Sequence, residues 1–270
     1  MATPPAPDQL AARVIRAAVR RWHPRGGETW PALEHELDRR TTRAPFWWRD
    51  DDATTPTPQL CRLLALRERL GLPLGLAVIP ADATMALADA LPAEDVAVLV
   101  HGWSHANHAR PGRPAAEFTA DRPRPELDAQ LRQALDRTTT LFGDRALPVL
   151  VPPFNAFAPQ LAGAVRGAGY RMLSIDQDFA STRMPAVNVH ADLVDWQRQT
   201  AASEASVVRS LVAALRLRRW GLVRADAPIG VMTHHLVHDD PTWALTEAIL
   251  ARLRQHPNVT FPKLPSMLVP

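Results

Sequence analysis

Short apolar runs alternate with amphipathic segments from residue 44 onward, which predicts a parallel α/β fold with helices covering the sheet. Two observations sharpen this. The chain has 270 residues, a length at which one barrel-type domain is common. The polar residues with chemical capacity also fall at the C-terminal ends of the apolar runs, the face on which parallel α/β barrels assemble their sites.

Taken in order, residues 8–22 read as a helix, with Leu10, Val14, Ile15, Ala18 and Trp22 at helical spacing and Asp8 as N-cap. Pro24, Gly26, Gly27 and Pro31 then break the pattern, and a short helical piece follows at 31–40. Residues 1–43 are therefore expected to be a helical leader capping a main domain at 44–270. The strands predicted in that domain are Pro45–Arg49, Leu74–Ile79, Val96–Val100, Pro148–Val151, Arg171–Ile175, Val187–Val189, Ile229–Thr233 and Val259–Phe261. Helices are predicted near 58–70, 84–91, 125–141, 159–168, 203–219 and 242–255, with loops at 103–125 and 177–186. Cys61 falls on the apolar face expected of the first of these helices, so it is read as core.

Composition excludes several classes. At 46% hydrophobic and 22% charged, the chain is not disordered throughout. One cysteine forbids an intramolecular disulfide and a cysteine-based zinc finger. No apolar run approaches the ~18 residues of a membrane span. Met1–Trp22 has no uninterrupted apolar stretch of the secretory kind, which predicts a cytoplasmic protein. Lys263 is the only lysine among 31 basic residues, and the arginines are interleaved with 28 acids. That pattern gives no electrostatic stripe for nucleic acid. The densest basic stretch, Arg216–Arg219, reads as a solvated helix end.

Five strand ends carry the chemistry. Asp50-Asp51-Asp52 follows Phe46–Arg49, His101 follows Val96–Val100 and Asn155 follows Pro148–Phe154; His190 follows Val187–Val189, and His234-His235 follows Ile229–Thr233. Three adjacent carboxylates repel unless a cation or a raised pKa relieves them. His101 and His105 are four apart, so a helical turn after the strand would place both imidazoles on one face. Two His and a carboxylate bind a divalent metal and leave positions open for water and substrate. A neighbouring Asp can then serve as general base.

These residues resemble a family. Trp48-Arg49-Asp50-Asp51-Asp52-Ala53, with Thr57-Pro58 after it, resembles the T-F-D-D-G-P motif of the polysaccharide deacetylases (the nodulation-protein-B-like, family 4 carbohydrate esterase type). His101-Gly102-Trp103-Ser104-His105 resembles the H-[ST]-x-x-H metal motif, differing at Gly102. Val151-Pro152-Pro153-Phe154 resembles R-x-P-[FY], Asp192-Leu193-Val194-Asp195-Trp196 resembles D-x-x-D-W, and Gly230–His234 resembles an apolar strand ending in His. The five motifs stand in the family's order between about residues 44 and 262.

The resemblance implies a distorted (β/α) barrel of about seven parallel strands. It also implies a divalent metal, usually zinc, and hydrolysis of an acyl group, N-acetyl above all, from a sugar or related small amide. It makes Asp52, His101 and His105 the metal ligands, Asp51 the base and His234 the general acid. The Thr-Pro spacing fits Asp50 and Asp51 instead; the later pair is preferred because Ala53 then takes the small Gly position. The third-motif Arg is Val151 here, and Arg49, two residues before Asp51 on the same strand face, is expected to hold the Asp51 carboxylate instead. Asp195 is expected to pair with His234. Trp103, Phe154, Asn155, Trp196 and His235 are expected on the substrate side, with His190, His238 and Asp239 joining His235 in a second polar layer. Expected partners are thus a small N-acylated substrate, with no nucleic acid and no membrane. A non-catalytic carbohydrate-binding relative and a metal-independent amide hydrolase on the same barrel are the alternative readings.

Overall fold

A computed structural model describes residues 29–176, 178 and 184–268. The helix expected at 8–22 lies outside the described residues. The main sheet is parallel. Its strands are β1 (Ala44–Ala53), β2 (Leu74–Val78), β3 (Val96–Val100), β4 (Ala146–Leu150), β5 (Met172–Leu173), β6 (Val189–Asp192) and β9 (Ile229–Thr233), in the order β5-β4-β3-β2-β1-β9-β6. A small antiparallel pair, β7 (Val194–Asp195) and β8 (Thr200–Ala201), lies outside this sheet, and β10 (Val259–Thr260) pairs with the start of β1. Backbone bonds Leu173 N→Pro185 O (3.0 Å), Val187 N→Leu173 O (2.9 Å) and Val189 N→Ile175 O (2.9 Å) tie β5 to the chain entering β6. The sheet therefore curls round until its two ends meet, the distorted barrel that the resemblance implies.

The helices are α1 (Trp30–Asp38), α2 (Pro58–Leu70), α3 (Met85–Ala90), α4 (Arg124–Phe142), α5 (Ala162–Gly167), α6 (Glu204–Arg219), α7 (Asp240–Gln255) and α8 (Leu264–Met267). Their starts are chemically marked. Thr57, Thr84, Ser203 and Asp239 each accept a backbone N–H of the first turn, and Pro58 sits at the first position of α2. Gly71 closes α2 in the left-handed conformation. α2 buries Leu60, Leu63, Leu66 and Leu70 against the sheet. Cys61 falls off that stripe and is exposed, so it is not core.

Alternation along β1 sorts its side chains. Trp47 packs inside the barrel with Ala77, Leu99, Val149, Val151, Val189 and Met232, whereas Phe46 and Trp48 join the layer between sheet and helices. Gly230 makes room for that indole: a Cβ there would lie 2.6 Å from Trp47 Nε1. Arg49 and Asp51 continue the inward row toward the C-terminal mouth.

α1 belongs to the main core, burying Trp30, Leu33 and Leu37. Its buried Glu36 takes Arg216 Nε at 2.6 Å and Arg219 Nε at 3.1 Å. Arg218 is 2% exposed and donates to the carbonyls of Ala214, Ala227 and Pro228. The expected solvated helix end is instead a set of cationic ties, because the turn after α6 and the helix α1 both bring acceptors to it.

Candidate active site

β1 runs further than its apolar residues suggest and contains the whole Asp triplet. Between Asp50 and Ala53 its register against β2 shifts, with three steps on β1 facing two on β2. The irregularity coincides with Asp52 at φ 74°, a left-handed conformation costly for a residue with a Cβ. The bulge breaks alternation and gives each Asp its own surroundings. Asp50 is buried against Thr233 and His235, Asp51 opens into the barrel mouth beside Arg49, and Asp52 turns toward His101 and His105.

Asp52 Oδ1 lies 3.0 Å from His101 Nε2 and 3.5 Å from His105 Nε2. One ligand atom from each of the three residues falls within 4.8 Å of the others, the spacing of a shared ion. His101 Nδ1 sits 2.9 Å from the Val151 carbonyl, which only an N–H there can satisfy. Its Nε2 lone pair is thereby turned to Asp52, the usual way a metal-binding His is oriented. Two acceptors at 3.0 Å require a positive charge between them, a proton or a cation. Burial opposes charge on Asp52, but the hydrogen bond and charge of His101, with His234 and His105, hold its carboxyl far below the usual range. Burial, joined by the charge of His101, lowers His105.

His105 does not arrive by a helical turn. The chain after His101 is irregular, with positive φ at Gly102 and His105. Buried Glu117 organises it, accepting the backbone N–H groups of Trp103 (3.0 Å) and Ser104 (2.8 Å) and lying 3.2 Å from Ser104 Oγ. A Cβ on Gly102 would stand 1.9 Å from Glu117 Oε2, which is why glycine replaces a hydroxyl residue there. Sequence reasoning missed Glu117, since a single acid in a polar loop carries no local signal.

Arg49, fully buried, donates from Nη2 to Asp51 Oδ2 (2.8 Å) and Asn155 Oδ1 (2.8 Å), and from Nη1 to Ser174 Oγ (2.7 Å) and Ser174 O (3.1 Å). One of its bonds goes to Asp51, while Ser174 takes Nη1 and Asn155 shares Nη2. Asp51 Oδ1 has no protein partner. Phe154 and Asn155 are both left-handed, at φ 62° and 50°, and that kink seats Phe154 over the His105 ring at 4.5 Å.

His234 follows β9. Its Nε2 is 3.9 Å from Asp51 Oδ2 and its Nδ1 is 3.9 Å from Asp192 Oδ1. The acid beside His234 is thus Asp192, not Asp195. Asp195 accepts the N–H groups of Gln197 and Arg198 and the Arg198 guanidinium, in the turn joining β7 to β8. Asp192 also accepts Val194 N–H (3.0 Å) and the Trp196 indole N–H (2.7 Å), and burial raises its pKa. Trp196 stands edge-on to His234 at 4.7 Å.

These groups line one cleft of about 700 Å³, formed by Asp51, Asp52, His101, His105, Phe154, Asn155, Asp192, Trp196 and His234 among others. Phe154 and Trp196 remain 42% and 49% exposed, two aromatic faces on its rim. Two expected substrate residues are elsewhere. Trp103 lines a separate surface hollow beside Arg132 and Arg137. His235 is fully buried on Asp50, because the turn after His234 reverses its side chain into the protein. Of the expected second polar layer, His190 lines the same cleft and His238 Nε2 accepts the His234 backbone N–H, whereas His235 and Asp239 are engaged elsewhere. His190 pairs with Asp178, and Asp239 caps α7.

No family model matches the chain, and no curated protein does. Solved structures do. A family 4 carbohydrate esterase from Streptomyces lividans, in complex with acetate, is 16% identical with a TM-score of 0.51, covering 80% of this chain and 88% of its own. A peptidoglycan N-acetylglucosamine deacetylase is 14% identical with a TM-score of 0.51, covering 83% of this chain and 88% of its own. A family 4 pseudoenzyme from Bacillus anthracis is 14% identical with a TM-score of 0.51, covering 85% of this chain and 67% of its own. At such identities the likeness is one of fold, and by that measure this chain has the fold of the family 4 carbohydrate esterases and polysaccharide deacetylases.

Proposed function

We infer that this protein is a metal-dependent hydrolase that removes an acyl group, N-acetyl first, from a sugar or a related small amide. One observation carries the reading: Asp52, His101 and His105 converge at the cleft floor beside Asp51, which keeps one carboxylate oxygen free. The donor set fits a divalent ion, zinc first, because the buried Asp52 Oδ1 and the His101 Nε2 lone pair face each other with no donor between them. Such an ion would supply Lewis acidity, polarising the acyl carbonyl and acidifying the attacking water.

The chain's own groups do the rest. Arg49 fixes Asp51 through Oδ2, leaving Oδ1 to take the proton of the attacking water. Addition of the water oxygen to the acyl carbon is followed by cleavage of the C–N bond. His234 Nε2 gives a proton to the departing nitrogen, and Asp192 on the far side of the ring stabilises the imidazolium. Phe154 and Trp196 offer apolar faces to the C–H face of a sugar ring, and the N-acetylglucosamine deacetylase among the structural neighbours supports that substrate class.

The test is turnover of 4-nitrophenyl acetate and chito-oligosaccharides by protein stripped with chelator, then reloaded with Zn²⁺ or Co²⁺. Activity should vanish and return. Full activity in metal-free protein would instead identify a metal-independent hydrolase. The pseudoenzyme neighbour and Val151 at the third-motif Arg position favour a second reading, a non-catalytic carbohydrate binder. Oligosaccharide binding without hydrolysis by the zinc-loaded protein would establish it.

A further inference from the structure

His234 is aimed by its neighbours more than by its own contacts. Its Nδ1 is buried with no hydrogen-bond partner, and carboxylates stand 3.9 Å away on either side. Its backbone N–H reaches His238 Nε2 at 3.3 Å. The residues before and after it are both tied to one carboxylate. Asp50 Oδ2 accepts the Thr233 hydroxyl at 2.6 Å and the His235 backbone N–H at 3.0 Å, while Asp50 Oδ1 lies 2.5 Å from His235 Nδ1. Trp48 Nε1 donates to the same Thr233 hydroxyl at 2.8 Å. Asp50 is also the register partner of Thr233 across β1 and β9. Asp50, Thr233 and His235 are all fully buried.

A carboxylate in such a place is costly unless every bond it makes is used. A strand packed this deeply needs only an apolar side chain for stability. What Asp50 adds is direction: it pins the peptide on each side of His234, so the imidazole enters the mouth at one angle. We propose that Asp50 is a positioning residue for His234, acting through Thr233 and His235 to hold the imidazole on the leaving group. The assignment rests on His234 being the general acid of the proposed deacylation. It gives the Asp triplet three separate tasks: anchor, base and ligand.

The test uses the full-length zinc-loaded protein and acetyl esters of rising leaving-group basicity: 4-nitrophenyl, phenyl and 2,2,2-trifluoroethyl acetate. A 4-nitrophenolate leaves with little help, whereas an alkoxide needs a proton. Asp50→Asn should therefore lose about tenfold more kcat on the trifluoroethyl ester than on the 4-nitrophenyl ester. KM should change less than about threefold, and zinc content should be retained. Thr233→Val makes the same test with a smaller change to the fold, and it stands in for Asp50→Asn if that variant does not fold. Equal losses on all three esters, or none, overturn the proposal. Loss of zinc from folded Asp50→Asn also overturns it and makes Asp50 the ligand. Hydrogen exchange reads the anchor without turnover. The amides of residues 234–237 should exchange about tenfold faster in Asp50→Asn, and unchanged exchange overturns the assignment. A wild type inactive on every ester counts against the deacylase reading and takes this proposal with it. Normal wild-type turnover with uniform losses counts against Asp50 alone.

Discussion

Two buried arginines of this fold stand beside an Asp and near a His, and their surroundings differ. Arg218, in the last turn of α6, has its Nε, Nη1 and Nη2 each donating to a carbonyl, and Nη1 also meets Asp178 at 3.0 Å. Asp178 in turn holds His190 Nε2 at 2.9 Å, while His190 Nδ1 accepts Gly230 N–H. Arg49, inside the barrel, leaves its own Nε, Asp51 Oδ1 and His234 Nδ1 without partners. The first group has its bonds closed by the backbone and reads as a tie. The second includes Asp51 and His234, which line the cleft. Buried polar atoms left unpaired are costly, so where they cluster at a mouth they mark the groups that await a ligand.

Four experiments would break or sharpen that contrast. The largest effects belong to the Asp pair. Asp52→Ala should lose both metal and turnover. Asp51→Asn should keep its metal and lose about 10³-fold in kcat, read by metal analysis beside steady-state rates. The reverse pattern would exchange the two roles. Next comes the arginine comparison. Arg49→Met should lower kcat about 100-fold with metal content and folding retained, since small displacements of a base are expensive. Arg218→Met should instead cost about 3 kcal/mol of stability, with turnover per folded molecule unchanged. Unchanged turnover per folded molecule in Arg49→Met would erase the distinction.

Smaller effects separate the two acids after β6. Asp192→Asn should lower kcat about tenfold, whereas Asp195→Ala should stay within about twofold. A larger effect at Asp195 would restore the pairing first expected there. The smallest effect is on pH-dependent stability. Burial pushes His238 down to about 4. Between the ordinary His value near ~6.5 and that value, the unfolded chain binds the proton that the folded one refuses. Stability is thus fully present above about pH 6.5 and falls as the pH drops toward 4, by on the order of 2 kcal/mol. His238→Gln should flatten that slope in denaturant titrations at pH 4.5 and 7, its amide oxygen replacing Nε2 as acceptor for His234 N–H.

How much was legible in the residues depended on the range of the interaction. Alternation and apolar runs located β1, β2, β3 and β9 and placed their ends at one mouth. Period two put Arg49 and Asp51 on one face, and the two do meet. His101 and His105 also meet, though for a different local reason than the one expected. The choice between Asp192 and Asp195 was not legible, because both stand within reach of a strand end in sequence and only β7 and β8 turn one of them away.

What the sequence by itself determined was the class of fold and the set of strand ends that meet, since both follow from the period of apolar residues along the chain. Tertiary structure alone decided the roles. The left-handed turn at Asp52 separates three identical side chains. Thr233 and His235, more than 180 residues from Asp50, claim one of them. Glu117 bends the loop that carries His105. A carboxylate takes its chemistry from what lies within about 3 Å of it. In a parallel barrel those neighbours come from distant strands, so no local pattern could have named them.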